Sequence, residues 1–275
     1  MFTEFLISAN LVLLAVCYYI YQNKKVEYKT KTIILSGRDS DKREIGDIDG
    51  IFEIHITVDH TQGFLALVDF KKRWESGEKG NLKILFAVSN ENNNQYMISH
   101  FTRKDNIKKA VEKANQIADE MKSAGIMIKR VKVEAMVSNT TKGIPLNTEE
   151  YKALYGVLTS QGFLGKPYFE FHVKIQNYYA LNLDGVKTEV QNELDICNTQ
   201  GDIQIAVSWN LMSKNMLPLL TLRMYDLGLV EAQMNKDIIL NTFKSLGYIL
   251  VDQIQEEFSV YDSFIDEDKG WIVQL

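Results

Sequence analysis

Apolar and polar positions alternate with a period of two along residues 51–59 and again along 168–176, which predicts two β-strands of the same type. In the first, Phe52, Ile54, Ile56 and Val58 share one face, and Glu53, His55, Thr57 and Asp59 share the other. In the second, Phe169, Phe171, Val173 and Ile175 oppose Glu170, His172, Lys174 and Gln176. The likeness continues downstream: Ile84–Ser89 matches Ile203–Ser208, Gly125 matches Gly247, and Glu134 matches Glu256, in order and with a slowly drifting offset that begins at 117 residues between His55 and His172. A unit of roughly this length is therefore repeated.

Each copy follows the same order. Helical stretches are expected near 62–76 and 182–195, second strands at 82–89 and 202–209, and third strands at 95–104 and 216–225. A second helix is clear at 105–124, where Ile107, Ala110, Val111, Ala114, Ile117, Ala118 and Met121 recur at helical spacing. Asp105 is its expected N-cap and Gly125 closes it. Its partner is 229–246, closed by Gly247, and fourth strands follow at 126–136 and 248–258. The fold class expected is α+β, a tandem duplication of a ferredoxin-like βαββαβ unit, preceded by an N-terminal transmembrane helix. The divisions are an anchor at 1–22, a linker at 23–50, a first lobe at 51–136, a connecting segment at 137–167 and a second lobe at 168–275 with a C-terminal hook around Trp271. The connector carries an expected helix at 148–161, with Thr148 as N-cap and Glu149 and Glu150 in its first turn.

The anchor rests on Phe5–Tyr21, a run without charge, flanked by Glu4 before it and by Lys24, Lys25, Lys29 and Lys31 after it. A helix of that length spans roughly 25 Å, near the lower limit for a bilayer. The lysines place the body on the cytoplasmic side of a single-pass membrane protein. A cleaved signal and a buried core helix are the alternatives. Composition then narrows the function classes. The chain has 275 residues, 36 acidic against 31 basic side chains and a formal net charge of -5, so broad nucleic-acid binding, which needs a basic surplus, is not expected. Two cysteines, Cys17 and Cys197, fit a reducing compartment. Walker A, dinucleotide-binding and CxxC motifs and a serine nucleophile elbow are missing.

Candidate chemistry lies on the polar face of the two first strands. A central strand with an ionisable face and a histidine in its middle is unusual for a plain core. Were the two sheets to face each other, His55 and His172 would converge across a cleft as base and acid. Thr57 and Lys174 sit one step along the same faces, and a hydroxyl and an ammonium there suit a phosphate oxygen. On the third strand of the second copy, Leu220, Leu222 and Met224 look inward and leave Thr221 and Arg223 beside His172. Ala87, Ser89, Ala206 and Ser208 are small enough to leave room for a ligand, and the side His100 faces is undecided. The plainer alternative is a paired histidine relic hydrogen-bonded to Glu53 and Glu170. A metal site from His55, Asp59 and His60 is disfavoured because adjacent strand residues point to opposite faces, so neither metal nor cofactor is expected.

Two lobes that each carry His-x-Thr or its variant on a strand resemble the 2H phosphoesterases, on His55-Ile56-Thr57-Val58 and His172-Val173-Lys174-Ile175. In that superfamily, paired His-x-Thr/Ser motifs make or break phosphodiester links without metal. The second copy here has Lys174 where the family has Thr or Ser, and the motif falls on the first strand instead of a later one. The resemblance implies a phosphoesterase acting on a small phosphorylated ligand or an RNA end, with His55 and His172 catalytic and Thr57, Lys174, Arg223, Thr221, Glu53 and Glu170 binding substrate. The alternative from the residues alone is a non-catalytic ligand-binding or protein-interaction module that uses the same cleft.

Overall fold

The computed structural model describes residues 47–59, 63–89, 94–103, 105–140, 142–177, 183–199, 201–213, 215, 217–263 and 273–274. Phe5–Tyr21, the linker before residue 47, His60 and Trp271 lie outside the described residues. Among the described residues, no helix is long and apolar enough to cross a membrane.

The elements are β1 (Asp49–Gly50), β2 (Phe52–Val58), α1 (Gly63–Ser76), β3 (Lys83–Ser89), β4 (Asn94–Phe101), β5 (Asp105–Asn106), α2 (Ile107–Ser123), β6 (Ile128–Met136), a 3-10 turn at Val137–Asn139, α3 (Thr148–Ser160), β7 (Tyr168–Ile175), α4 (Leu183–Ile196), β8 (Asp202–Asn210), β9 (Pro218–Tyr225), α5 (Leu229–Ser245), β10 (Leu250–Asp262) and β11 (Val273–Gln274). The copies have strand orders β6-β2-β4-β3 and β10-β7-β9-β8, the order of a ferredoxin-like sheet in each case. All pairings are antiparallel.

The copies do not form two sheets facing each other across a gap. β6 pairs with β10 on one side, β3 pairs with β8 on the other, and β9 returns to β8, so eight strands close into one barrel. Closure removes the sheet edges that two separate lobes would expose. The β3–β8 seam is short, running only from Ala87↔Asn210 to Ser89↔Ser208. β11 takes a further stretch of the same β8 edge at Gln204 and Ile205, so the end of the expected C-terminal hook is a strand.

Helices cover the outside, and the apolar core lies between them and the outer barrel face. Phe52, Ile54, Ile56 and Val58 are buried there with Leu67, Phe70 and Trp74 of α1 and with Ala110, Ala114, Ile117 and Met121 of α2. Phe169, Phe171, Val173 and Ile175 pack likewise with Val186, Val190 and Leu194 of α4 and Ile239 and Phe243 of α5. Each such side chain contributes about 1.5–3 kcal/mol when fully buried. Alternation then sends Glu53, His55 and Thr57 of β2 and Glu170, His172 and Lys174 of β7 into the barrel.

Helix boundaries agree with the sequence to within a few residues, but two caps differ. Asn106, not Asp105, caps α2 by accepting from Lys109 N, and Asn147, not Thr148, caps α3 by accepting from Glu150 N. An Asx side chain one residue earlier takes the position in each case, since its carbonyl reaches the third backbone N–H. Gly125 and Gly247 close α2 and α5 with φ of 80° and 88°, a conformation that favours glycine.

A buried ion pair between Arg130 and Asp262 helps tie the two copies together. Arg130 on β6 donates to Asp262 on β10 through Nε at 2.8 Å and a terminal nitrogen at 2.5 Å, with the Tyr168 hydroxyl 3.3 Å from the same carboxylate. Removing one partner of a buried pair costs about 3–5 kcal/mol, whereas replacing both by apolar groups of similar size is often near neutral. Asp262→Ala is therefore expected to lower the urea-unfolding free energy by about that amount, and Arg130→Met with Asp262→Leu by distinctly less. Equal losses in the single and double variants would contradict the assignment.

Candidate functional site in the barrel interior

The strand registers set the floor of the barrel. On β2 and β6, Glu53 lies opposite Glu134 and His55 opposite Lys132. On β7 and β10, Glu170 lies opposite Glu257 and His172 opposite Gln255. The counterpart of Glu134 is thus Glu257, not Glu256 as the sequence spacing indicated. β10 advances four residues from Leu250 to Ile254 while β7 advances two, so it carries two extra residues there, whereas β6 carries one between Ile128 and Arg130. Glu256 points outward, where it accepts from Lys236 at 2.9 Å and Gln233 at 3.1 Å on α5.

Two carboxylates directly opposed across paired strands repel one another. Here that opposition occurs twice, among side chains almost wholly withdrawn from water: Glu53 at 4%, Glu134 at 0%, Glu170 at 2% and Glu257 at 0% exposure. The compensation comes from neighbouring strands. Lys132 Nζ lies 2.9 Å from Glu134 and 3.2 Å from Glu170. Arg223 Nε donates to Glu170 at 2.5 Å. His172 Nε2 lies 2.9 Å from Glu170 and 3.1 Å from Glu257. Gln255 Nε2 bridges Glu53 at 3.0 Å and Glu257 at 2.8 Å, and the Ser99 hydroxyl donates to Glu53.

The two halves use the same residue types in opposite protonation states. For His172, burial disfavours the imidazolium, but Glu170 and Glu257 outweigh it and its pKa is pushed up to about 10. Both ring nitrogens then carry protons, and Nδ1 donates to Thr221 Oγ1 at 3.0 Å. For His55, burial dominates, Lys132 adds to it, and Glu53 offsets only part, leaving its pKa lowered to about 4 and the ring neutral. His55 Nε2 stands 3.5 Å from Glu53 and 3.4 Å from Glu134, and its buried Nδ1 has no hydrogen-bond partner. Burial also raises the Glu134 and Glu53 carboxyls, whereas Glu170 is held well below the usual carboxylate range, its burial overcome by Arg223, Lys132 and His172. The source of the asymmetry is one strand over. Where Arg223 and Thr221 lie opposite Glu170 and His172, Phe101 and Ser99 lie opposite Glu53 and His55. The first half lacks the guanidinium.

Above this floor is a cavity of about 500 Å³. All eight residues picked from the sequence line it: Glu53, His55, Thr57, Glu170, His172, Lys174, Thr221 and Arg223. Both histidines reach one carboxylate, since a Glu257 oxygen lies within 4.8 Å of the ligating atoms of Glu53 and His55 and, likewise, of those of Glu170 and His172. Ala87, Ala206 and Ser208 line the cavity as well. His100 does not: it lies opposite Ile54 on the helix-covered face, edge-on to Trp74, with Nδ1 2.9 Å from Asn81 O. Asp59 ends beside Lys129 at 3.9 Å, away from the floor. Sequence reading missed Lys132, Glu134, Gln255 and Glu257. The signal was present, because Lys132 and Glu134 alternate with Val131, Val133 and Ala135 on the strand that pairs with β2.

No family model and no curated protein matches the chain. Solved structures to which the chain is similar include chlorite dismutase from Candidatus Nitrospira defluvii, at 7% identity over 77% of this chain and 91% of that one, with a TM-score of 0.26. An aldoxime dehydratase matches at 8% identity over 78% of this chain and 80% of that one, with a TM-score of 0.33. A putative monooxygenase from Fusobacterium nucleatum subsp. nucleatum matches at 9% identity over 80% of this chain and 94% of that one, with a TM-score of 0.28.

The raised pKa of His172 has a signed consequence. The folded value of about 10 exceeds the ordinary 6.5, so the folded state binds the extra proton between the two. Stability from this group is full below pH about 6.5 and is lost as pH rises towards about 10. In chelator-treated protein, wild type is expected to lose unfolding free energy relative to His172→Gln across that window. A difference that stays constant with pH would contradict the ion-paired imidazolium.

Proposed function

We propose that the barrel interior binds a small molecule that carries an anionic group, which is the non-catalytic use of the site. One observation carries this reading: a cavity of about 500 Å³ has a floor of buried charges and two further cations, Lys83 and Lys174, among its lining residues. That volume is within the roughly 300–1,000 Å³ usual for small-molecule sites. Lys83 and Lys174 are both exposed, and among the described residues neither takes part in an ion pair. Their ammonium groups suit a carboxylate or phosphate. The four glutamates below repel a second anion, so the deeper part of the ligand is neutral or cationic and donates hydrogen bonds to Glu53 and Glu257.

A hydrolytic use of the same cavity, with His55 and His172 as base and acid on a phosphodiester, is the second reading. What favours it is that the two histidines converge on one cavity and share Glu257. The carboxylates around each ring weigh against it, because a phosphate brought within reach of either imidazole meets them first. A membrane tether at Phe5–Tyr21, with the body on the cytoplasmic side, belongs to both readings and is supported by that uncharged run and the lysines after it.

The test is calorimetric titration with nucleoside monophosphates, 2′,3′-cyclic nucleotides and small amino acids or dicarboxylates. The tightest ligand is expected to lose about tenfold in affinity, one charged contact, in Lys174→Ala and to weaken with added salt. An affinity unchanged in both Lys83→Ala and Lys174→Ala would contradict the reading. Turnover of a 2′,3′-cyclic nucleotide that disappears in His55→Ala and in His172→Ala would establish the hydrolytic one instead.

A further inference from the structure

The His55 half of the floor is spaced for an ion more than for hydrogen bonds. His55 Nε2 is 3.5 Å from Glu53 Oε1 and 3.4 Å from Glu134 Oε2, both beyond the usual N–H···O distance, and His55 Nδ1 is buried without a hydrogen-bond partner among the described residues. Donors about 2.1 Å from a tetrahedral ion are about 3.4 Å apart, which is the spacing seen. A Glu257 oxygen completes a set in which the ligating atoms of Glu53, His55 and Glu257 all lie within 4.8 Å of one another.

Glu134 gives an independent indication. It is fully buried, and its Oε2 accepts no hydrogen bond. The Lys132 ammonium is 2.9 Å from Oε1, which leaves Oε2 as the atom nearest His55. Gln255 donates to Glu53 and to Glu257 at once, holding two of the prospective donors in place as outer partners do in metal sites. The other half provides the contrast. Glu170, His172 and Glu257 are equally close, but His172 Nε2 sits at hydrogen-bond distance, 2.9 and 3.1 Å, from its carboxylates.

We infer that the barrel binds one divalent first-row transition-metal ion, of the zinc type, through His55 Nε2 and the carboxylates of Glu53 and Glu257, with the Glu134 carboxylate beside His55 as further negative charge. Imidazole with carboxylates is a donor set such ions accept. The ion's charge would offset the opposition of Glu53 and Glu134, for which the first half has no arginine. The site shares Glu53 and Glu257 with the deeper part of the cavity but uses neither Lys83 nor Lys174, so ion binding without any anionic ligand tests it apart from the anionic reading.

Full-length protein, stripped with chelator and exchanged into metal-free buffer, is titrated with ZnCl₂ and, for its absorption spectrum, with CoCl₂. One ion per chain is expected, and Co²⁺ should give the d–d bands of a tetrahedral nitrogen–oxygen site. His55→Ala and Glu53→Gln should weaken Zn²⁺ binding at least about 100-fold and Gln255→Leu about tenfold. His100→Gln, outside the barrel, should leave affinity unchanged, and circular dichroism of each variant separates lost ligands from lost fold. Failure of the wild type to bind either ion, or affinity in folded His55→Ala equal to that of wild type, would overturn the inference. Two ions per chain would overturn its one-sided form.

Discussion

The opposition of carboxylates inside the barrel, Glu53 against Glu134 and Glu170 against Glu257, is the constraint to which the other polar groups answer. Buried like charges in register are unfavourable unless something of opposite sign lies between them. Lys132, Arg223 and His172 supply that sign, and Gln255 and Ser99 satisfy further lone pairs. Two of these contacts, Lys132 to Glu170 and Gln255 to Glu53, cross between the copies and would be lost were the copies separate sheets. The β6–β10 pairing brings Lys132 of the first copy to Glu170 of the second, so closure of the barrel and neutralisation of its floor depend on each other.

The like order of strands in the two halves explains the paired geometry, and the residues that differ between them explain its chemistry. Arg223 on β9 faces Glu170, whereas the corresponding place on β4 is Phe101. One half therefore holds an ionised carboxylate against an imidazolium, and the other holds a neutral imidazole among carboxyls raised by burial. The neutral half is the one free to take a ligand atom. Such a division between identical residues is how one site can provide both a fixed charge and a reactive donor.

Much of this was legible in the chain. Period-two alternation identified β2 and β7 and separated Glu53, His55 and Thr57 from the apolar face, and the repeat gave the βαββαβ order of each copy. Barrel closure was not legible, because it depends on β6–β10 and β3–β8 pairings between residues far apart that carry no local signature. The mismatch of Glu134 with Glu256 arose because β10 gains two residues in its irregular stretch and β6 only one, and the net difference of one turns a side chain to the opposite face of a strand. The N-caps at Asn106 and Asn147 were each missed by one residue because Asp105 and Thr148 are also competent caps.

The shared, buried floor is tested most directly by long-range ¹H–¹⁵N NMR of the histidine rings in metal-free protein near neutral pH. In one sample, His55 should show the nitrogen shifts of a neutral imidazole and His172 those of a doubly protonated one. Two rings that titrate together near the ordinary histidine value of 6.5 would mean that water reaches both, and would contradict the buried network.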